Sequence, residues 1–327
     1  MSSEEFIGKG ADASVWRCKG PTGIFAGKRY HADKHQKMDR ESRFLHALSN
    51  HPNVVKVVEV LGTVAPNQLN LEFCPSTLEH ILGSPLADDV LLSHTLTLVI
   101  TFRDMHRKVI FHLDIKPENI LIREDKSLVV ADFSFAESRH QASQWHGNQA
   151  TAAPEMWEAH YFGKSFDCEM ADVFSLGATL IWLLNAAPLW PMACRCDPFL
   201  AYDPAFFSYI VQGDRPRQTP RNRLLFRLWP ILRRMCDPDP SERPSLDDVL
   251  RDIEAAEAAE PLLTPTPAPA ATQAAAAGVE SAPVVVEAGS LGATRTLPPP
   301  PIDTTCVFEP RAPVDESLPE VNPVEQL

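Results

Sequence analysis

The chain has 327 residues, 44% of them hydrophobic, enough for a two-lobed domain with a tail or for two domains. A formal net charge of −13 excludes a surface that as a whole attracts nucleic acid or anionic membranes. No apolar run reaches the roughly 18 residues of a membrane span, and the polar start Met1-Ser-Ser-Glu-Glu is not that of a signal peptide.

Cysteine usage adds a compartment. The seven cysteines lack paired C-x-x-C spacing, and Cys194 and Cys196 form a lone C-x-C, too little for a zinc site. They read as reduced thiols of a cytoplasmic or nuclear protein.

In chain order, Glu5–Gly8, Ala13–Cys18 and Gly23–Arg29 read as short strands, and Arg40–Leu48 as an amphipathic helix stopped at His51-Pro52. Val54–Leu61 and Leu69–Phe73 read as two further strands. From about Leu78 the apolar period becomes helical, over Val90–Lys108, Met170–Leu184, Pro204–Gly213, Leu224–Met235 and Leu246–Ala258. This is an α+β pattern, a strand-rich lobe (1–75) followed by a helix-rich lobe (76–258), with a cleft between them. Residues 259–327 turn acidic and rich in Pro and Ala, lack Trp and Tyr, and cannot bury enough apolar surface to offset chain entropy; they read as a disordered tail.

Several motifs face phosphate chemistry. Ile7-Gly8-Lys9-Gly10-Ala11-Asp12-Ala13-Ser14-Val15 falls on a strand–turn–strand, where two glycines let backbone N–H groups approach a phosphate. The strand that follows argues against a dinucleotide-binding fingerprint. Lys28, after Phe25-Ala26-Gly27, reads either as an ordinary strand end or as a cation for phosphates, with Glu41 on the next helix to brace it.

The strongest signal is His112-x-Asp114-x-Lys116-x-x-Asn119 between two apolar runs, followed by Ala131-Asp132-Phe133-Ser134. Two carboxylates, an amide and a cation meet at one loop edge. Asp132 and Asn119 suit Mg2+, which takes oxygen ligands and substrate phosphates. Asp114 suits a substrate hydroxyl and Lys116 a transferred phosphate.

Together these residues resemble the eukaryotic-type (Hanks-type) serine/threonine protein kinase family over roughly residues 4–255. Ala153-Pro154-Glu155, Asp172-Val-Phe-Ser-Leu-Gly177 and Asp239-Pro-Ser-Glu-Arg243-Pro extend the likeness. The resemblance implies a bilobal protein-kinase-like fold and the transfer of the γ-phosphoryl group of ATP to protein Ser/Thr hydroxyls, with Mg2+. In that frame Asp114 and Lys116 are catalytic, and Asn119 and Asp132 hold metal. The turn Ile7–Val15 covers the nucleotide phosphates, and Lys28 braced by Glu41 holds them. Val15, Ala26 and Leu121 sandwich the base, Glu72 and Cys74 form the hinge beside a gatekeeper Leu71, Asp172 holds the catalytic loop and Arg243 pairs with Glu155.

Four positions leave the family pattern. Ala13 replaces a loop glycine, Leu113 an arginine, Ser134 a glycine and Asn148 a threonine. None removes a group that touches metal or phosphate. Leu113 cannot gather a phosphate on the activation segment, so activity independent of phosphorylation there is expected. Glu118 suits a basic residue upstream of the acceptor, although such a glutamate is common in these loops. A pseudokinase scaffold and a small-molecule phosphotransferase of kinase-like fold are the alternative readings. In the tail, Arg295-Thr-Leu-Pro298-Pro-Pro-Pro301 reads first as a spacer and second as an SH3- or EVH1-type ligand. Thr294, Thr296, Thr304 and Thr305 are candidate autophosphorylation sites.

Overall fold

The computed structural model describes residues 4–21, 23–59, 67–82, 84–143, 150–191, 202–219 and 222–259. Asn148, Cys194, Cys196, Cys306, the four tail threonines and the Arg295–Pro301 segment lie outside them.

The first part is an antiparallel sheet in the order β1 (Glu4–Lys9), β2 (Ala13–Gly20), β3 (Gly23–Tyr30), β4 (Gln68–Glu72). The β1–β2 register shifts between Phe6 and Gly8, so a bulge precedes the glycine turn. Helix α1 (His35–Ala47) crosses the chain between β3 and β4 and buries Glu41, Phe44 and Leu45. It starts before the expected Arg40. His35–Asp39 is polar but for Met38 and its N-cap Lys34 makes no side-chain cap bond, so apolar period and capping chemistry are both silent there.

Val54–Leu61 does not form the expected continuous strand in its described part. Val54 bridges Val130 in parallel and Val57 bridges Leu71 antiparallel. The β-branched run changes partner midway, so no long ladder develops.

Beyond β4 come β5 (Ser76–Thr77), α2 (Leu78–Ile81), α3 (Asp88–His106), β6 (Ile120–Ile122) and β7 (Leu128–Val130); β5, β6 and β7 form a small antiparallel sheet. The β8–β9 pair (Gln141–Ala142, Phe166–Asp167) flanks α4 (Pro154–Phe162). Helix α4 was not foreseen; Pro154 at its N-terminus and Gly163 in a left-handed C-cap bound it.

Helix α5 (Cys168–Asn185) is buried along almost its whole length, as its all-round apolar sequence demands, and Asp167 caps it by accepting from Glu169 and Met170 N–H. A Cβ at Gly177 would stand 2.8 Å from Met235 Cβ and 2.9 Å from Cys236 Sγ, so this glycine sets how closely α5 and α7 (Arg223–Met235) approach. Pro204–Phe206 opens α6, which continues as a π-turn over Phe207–Gln212, and α8 (Leu246–Ala259) closes the described chain against α3 and α7. The four cysteines described, Cys18, Cys74, Cys168 and Cys236, are free. Among the described residues no helix is long and apolar enough to cross a membrane.

Candidate active site

The His112–Asn119 loop hangs from one buried carboxylate. Asp172 on α5 accepts from His112 N–H at 2.6 Å and Leu113 N–H at 2.8 Å, and lies 3.2 Å from His106 Nε2. Leu113 has a left-handed φ of 60°, which costs an L-residue about 1–2 kcal/mol. The Asp172 bonds and burial of the Leu113 side chain in the apolar core hold that conformation. His112 is fully buried, lies 3.0 Å from the Ala131 carbonyl through Nε2, and accepts from Asp114 N–H at Nδ1, so Nε2 carries the proton. Its ring stands edge-on to Phe133, 4.9 Å away.

Asp114 is buried, and its Oδ2 accepts from Lys116 Nζ at 2.8 Å and Asn119 Nδ2 at 2.9 Å. Its Oδ1 is buried with no partner. Burial raises the carboxyl pKa, and Lys116 opposes that rise. Asn119 also gives Nδ2 to the Asp114 carbonyl, which commits its nitrogen and leaves its side-chain oxygen for a cation.

Across from this loop, Lys28 Nζ lies 2.8 Å from both Glu41 Oε2 and Asp132 Oδ1. Tyr30, two residues along the same strand face, donates its hydroxyl to Glu41. Burial pushes the Glu41 carboxyl up to about 7, with Lys28 pulling against it. Burial would raise Asp132 too, but the charge and hydrogen bond of Lys28 overcome it and hold the carboxyl well below its usual range. Asp132 keeps 34% of its side chain exposed and is therefore an ionised carboxylate open to a ligand.

Most of the remaining expected residues fall on the first sheet, on its glycine turn and on β6. Val15 stands opposite Lys28 on β2–β3, and Ala26 opposite Leu71 on β3–β4. Leu121 is half-buried on β6. A Cβ at Gly8 would meet nothing within 4 Å, so the turn is open on that side. Ile7, Lys9, Gly10 and Ala11 are exposed there, and Asp12 and Ser14 half-buried. Ala13 is buried, and neither it nor Ser134 has a positive φ, so neither substitution strains its turn. The Glu72 carboxylate is taken by Arg123, whose Nε and Nη2 both lie at 2.8 Å, so only the backbone of Glu72 is left for a ligand. Cys74 is half-buried against the core. Arg243 clamps Glu155 through Nη1 at 2.5 Å and Nη2 at 2.8 Å.

These donors fit a magnesium-bound nucleotide. Among the described residues no three His, Cys, Asp or Glu side chains gather as a ready cation site. One carboxylate and one amide, with phosphates and water to complete the shell, is how Mg2+ is commonly held.

Sequence reasoning missed Tyr30, Lys37 and Arg123. Strand alternation put Tyr30 on the face of Lys28, and helical spacing would have put Lys37 beside Glu41 had α1 been started earlier. Nothing local announces the Arg123–Glu72 pair.

A protein kinase domain model matches residues 1–253. The chain is 25% identical to a membrane-associated tyrosine- and threonine-specific cdc2-inhibitory kinase of Drosophila melanogaster over 73% of its length and 42% of that protein's. It is 25% identical to cyclin-dependent kinase-like 4 of Mus musculus over 76% of its length and 72% of that protein's. A CBL-interacting serine/threonine-protein kinase 10 of Arabidopsis thaliana is 31% identical over 42% of this chain, but only 29% of its own length is spanned.

Proposed function

Because the chain belongs to the protein kinase family, we propose that it transfers the γ-phosphoryl group of ATP to Ser and Thr hydroxyls of protein substrates, without phosphorylation of its own 132–155 segment. The observation that carries this is Asp114 Oδ1, a buried carboxylate oxygen with no partner, beside a sister oxygen fixed by Lys116 and Asn119. A substrate hydroxyl is the donor that satisfies it.

Asp114 orients the acceptor hydroxyl and receives its proton. Its raised pKa makes it a better proton acceptor than a free carboxylate. Lys116 neutralises the moving phosphoryl group, and Lys28, braced by Glu41 and Tyr30, holds the other phosphates. Asp132 and Asn119 would hold Mg2+, which when bound neutralises phosphate oxygens. Val15, Ala26 and Leu121 line the base, with backbone from Glu72 to Cys74 at its edge. The transition state is loose, so catalysis is positioning and charge.

Independence from segment phosphorylation rests on contacts made without a phosphate. Phe111 and Glu137 exchange both backbone bonds, at 2.9 and 2.8 Å. Further on, Cys168 N–H donates to the His140 carbonyl, and Gln141 and Ala142 pair with β9. Leu113, in the place of a phosphate-gathering arginine, is buried in the core. The free thiols support a reducing cytoplasmic or nuclear setting.

The test is phosphoryl transfer from ATP to Ser/Thr peptides by the protein carrying alanine at both Ser138 and Ser143. Activity close to that of the unaltered chain supports the reading, and its loss refutes the independence.

A further inference from the structure

One charged contact lies outside the chemistry proposed above. Lys37 sits in the first turn of α1, one helical turn before Glu41 and on the same face. Its Nζ lies 2.5 Å from Asp12 Oδ2 and 4.0 Å from the centre of the Phe135 ring. Asp12 belongs to the glycine turn, and its carbonyl accepts from His31 N–H at 2.9 Å. Phe135 lies three residues beyond Asp132. The lysine thus touches three elements at once, the turn, the helix and the start of the 132–155 segment. Lys34 adds a more distant contact, 3.9 Å from Asp12 Oδ1.

We propose that Lys37 is a positioning residue that clamps the Gly8–Val15 turn to α1 and to Phe135, and cancels the Asp12 charge ahead of a polyanionic nucleotide. This rests on the reading of that turn as a phosphate cover. An uncompensated carboxylate on such a turn repels phosphates through a poorly screened path. Both partners are partly shielded, with 27% and 20% of their side chains exposed, so the pair is worth more than a fully solvated one. The cation over the Phe135 ring adds a second attachment. Glu41 reaches Asp132 through Lys28, and Lys37 reaches Phe135 directly, so one face of α1 grips both ends of the Asp132–Phe135 turn. The clamp does for the segment's start what a phosphate-gathering arginine would do further along, and it needs no modification.

The test is calorimetric affinity of the full chain for MgATP, in the unaltered protein and in Lys37→Met, Lys37→Arg, Asp12→Asn and the Asp12→Asn/Lys37→Met pair. Lys37→Met should bind about fivefold more weakly. Lys37→Arg should bind within about twofold of the unaltered chain, and the double variant should recover most of the loss. Rescue by Asp12→Asn separates charge cancellation from a merely structural role, which that change would not repair. Unchanged affinity in Lys37→Met, or a double variant as weak as Lys37→Met, overturns the proposal.

Amide exchange of the nucleotide-free protein supplies a readout that does not depend on the enzymatic reading. Lys37→Met should speed exchange across Gly8–Val15 and 133–136. If the unaltered chain binds no MgATP, the enzymatic reading falls and exchange alone judges the clamp; unchanged exchange overturns it.

Discussion

The His112–Asn119 loop and the start of the 132–155 segment are joined through the Phe111–Glu137 backbone pair, yet the loop and the described parts of the segment are restrained by different physics. The loop is held by a buried charge. Asp172 accepts from two consecutive backbone N–H groups and fixes a left-handed Leu113, and Lys116 and Asn119 then fix Asp114 through its Oδ2. The described parts of the segment are held by backbone pairing, by Phe133 against His112 and by Phe135 under Lys37. Its carboxylate at Glu137 is paired with Arg139. The first region concentrates its restraint in one residue, and the second spreads it over many. Single changes should therefore be severe in the loop and mild at the exposed positions of the segment, such as Ser138 and Ser143.

The sharpest way to break that contrast is at Asp114. Asp114→Asn should lower phosphoryl transfer by about 10²–10⁴-fold, the usual worth of a positioned acid–base group, while the thermal midpoint is retained. Next comes Lys28→Met, expected to cost about 10²-fold or more in kcat/KM, with Tyr30→Phe giving a milder loss because Lys28 still reaches Glu41. Asp172→Ala should destabilise the fold by about 3 kcal/mol or more, since it strands two buried N–H groups and leaves Leu113 strained; a denaturation curve reads this. In the segment, Ser138→Ala with Ser143→Ala should change activity by no more than about twofold, because both side chains are exposed and neither restrains the segment.

A last effect concerns substrate selection, at Glu118. Its Oε2 is buried without a partner, and burial together with the charges of Glu79, and to a lesser degree Asp114, raises its carboxyl pKa. Glu118→Gln should reduce by a few-fold any preference for basic residues in a peptide library; an unchanged profile removes Glu118 from substrate selection.

Much of this is legible in the sequence because the candidate site sits in short, dense motifs. His112 to Asn119 and Asp132 announce themselves by spacing, and the long helices α3, α5, α7 and α8 by apolar period. The Lys28–Glu41 pair was legible as soon as a helix was placed after β3. What escaped was set by tertiary partners. Val54–Leu61 has strand composition but divides its pairing between Val130 and Leu71. Helix α4 has little apolar period and is defined by its ends. Lys37, Tyr30 and Arg123 matter through residues far away in the chain: Arg123 takes the Glu72 carboxylate and leaves only the Glu72 backbone for the expected hinge.

The central claim is that Asp114 and its neighbours form a working phosphoryl-transfer site in a chain that needs no segment phosphorylation. The most direct measurement is γ-phosphoryl transfer from ATP to a Ser/Thr peptide library, comparing the unaltered chain, Asp114→Asn and the Ser138→Ala/Ser143→Ala protein at equal folded concentration. The account predicts transfer by the first and third and its near-complete loss in the second. Equal transfer by Asp114→Asn, or none by a folded, unaltered chain, would contradict it.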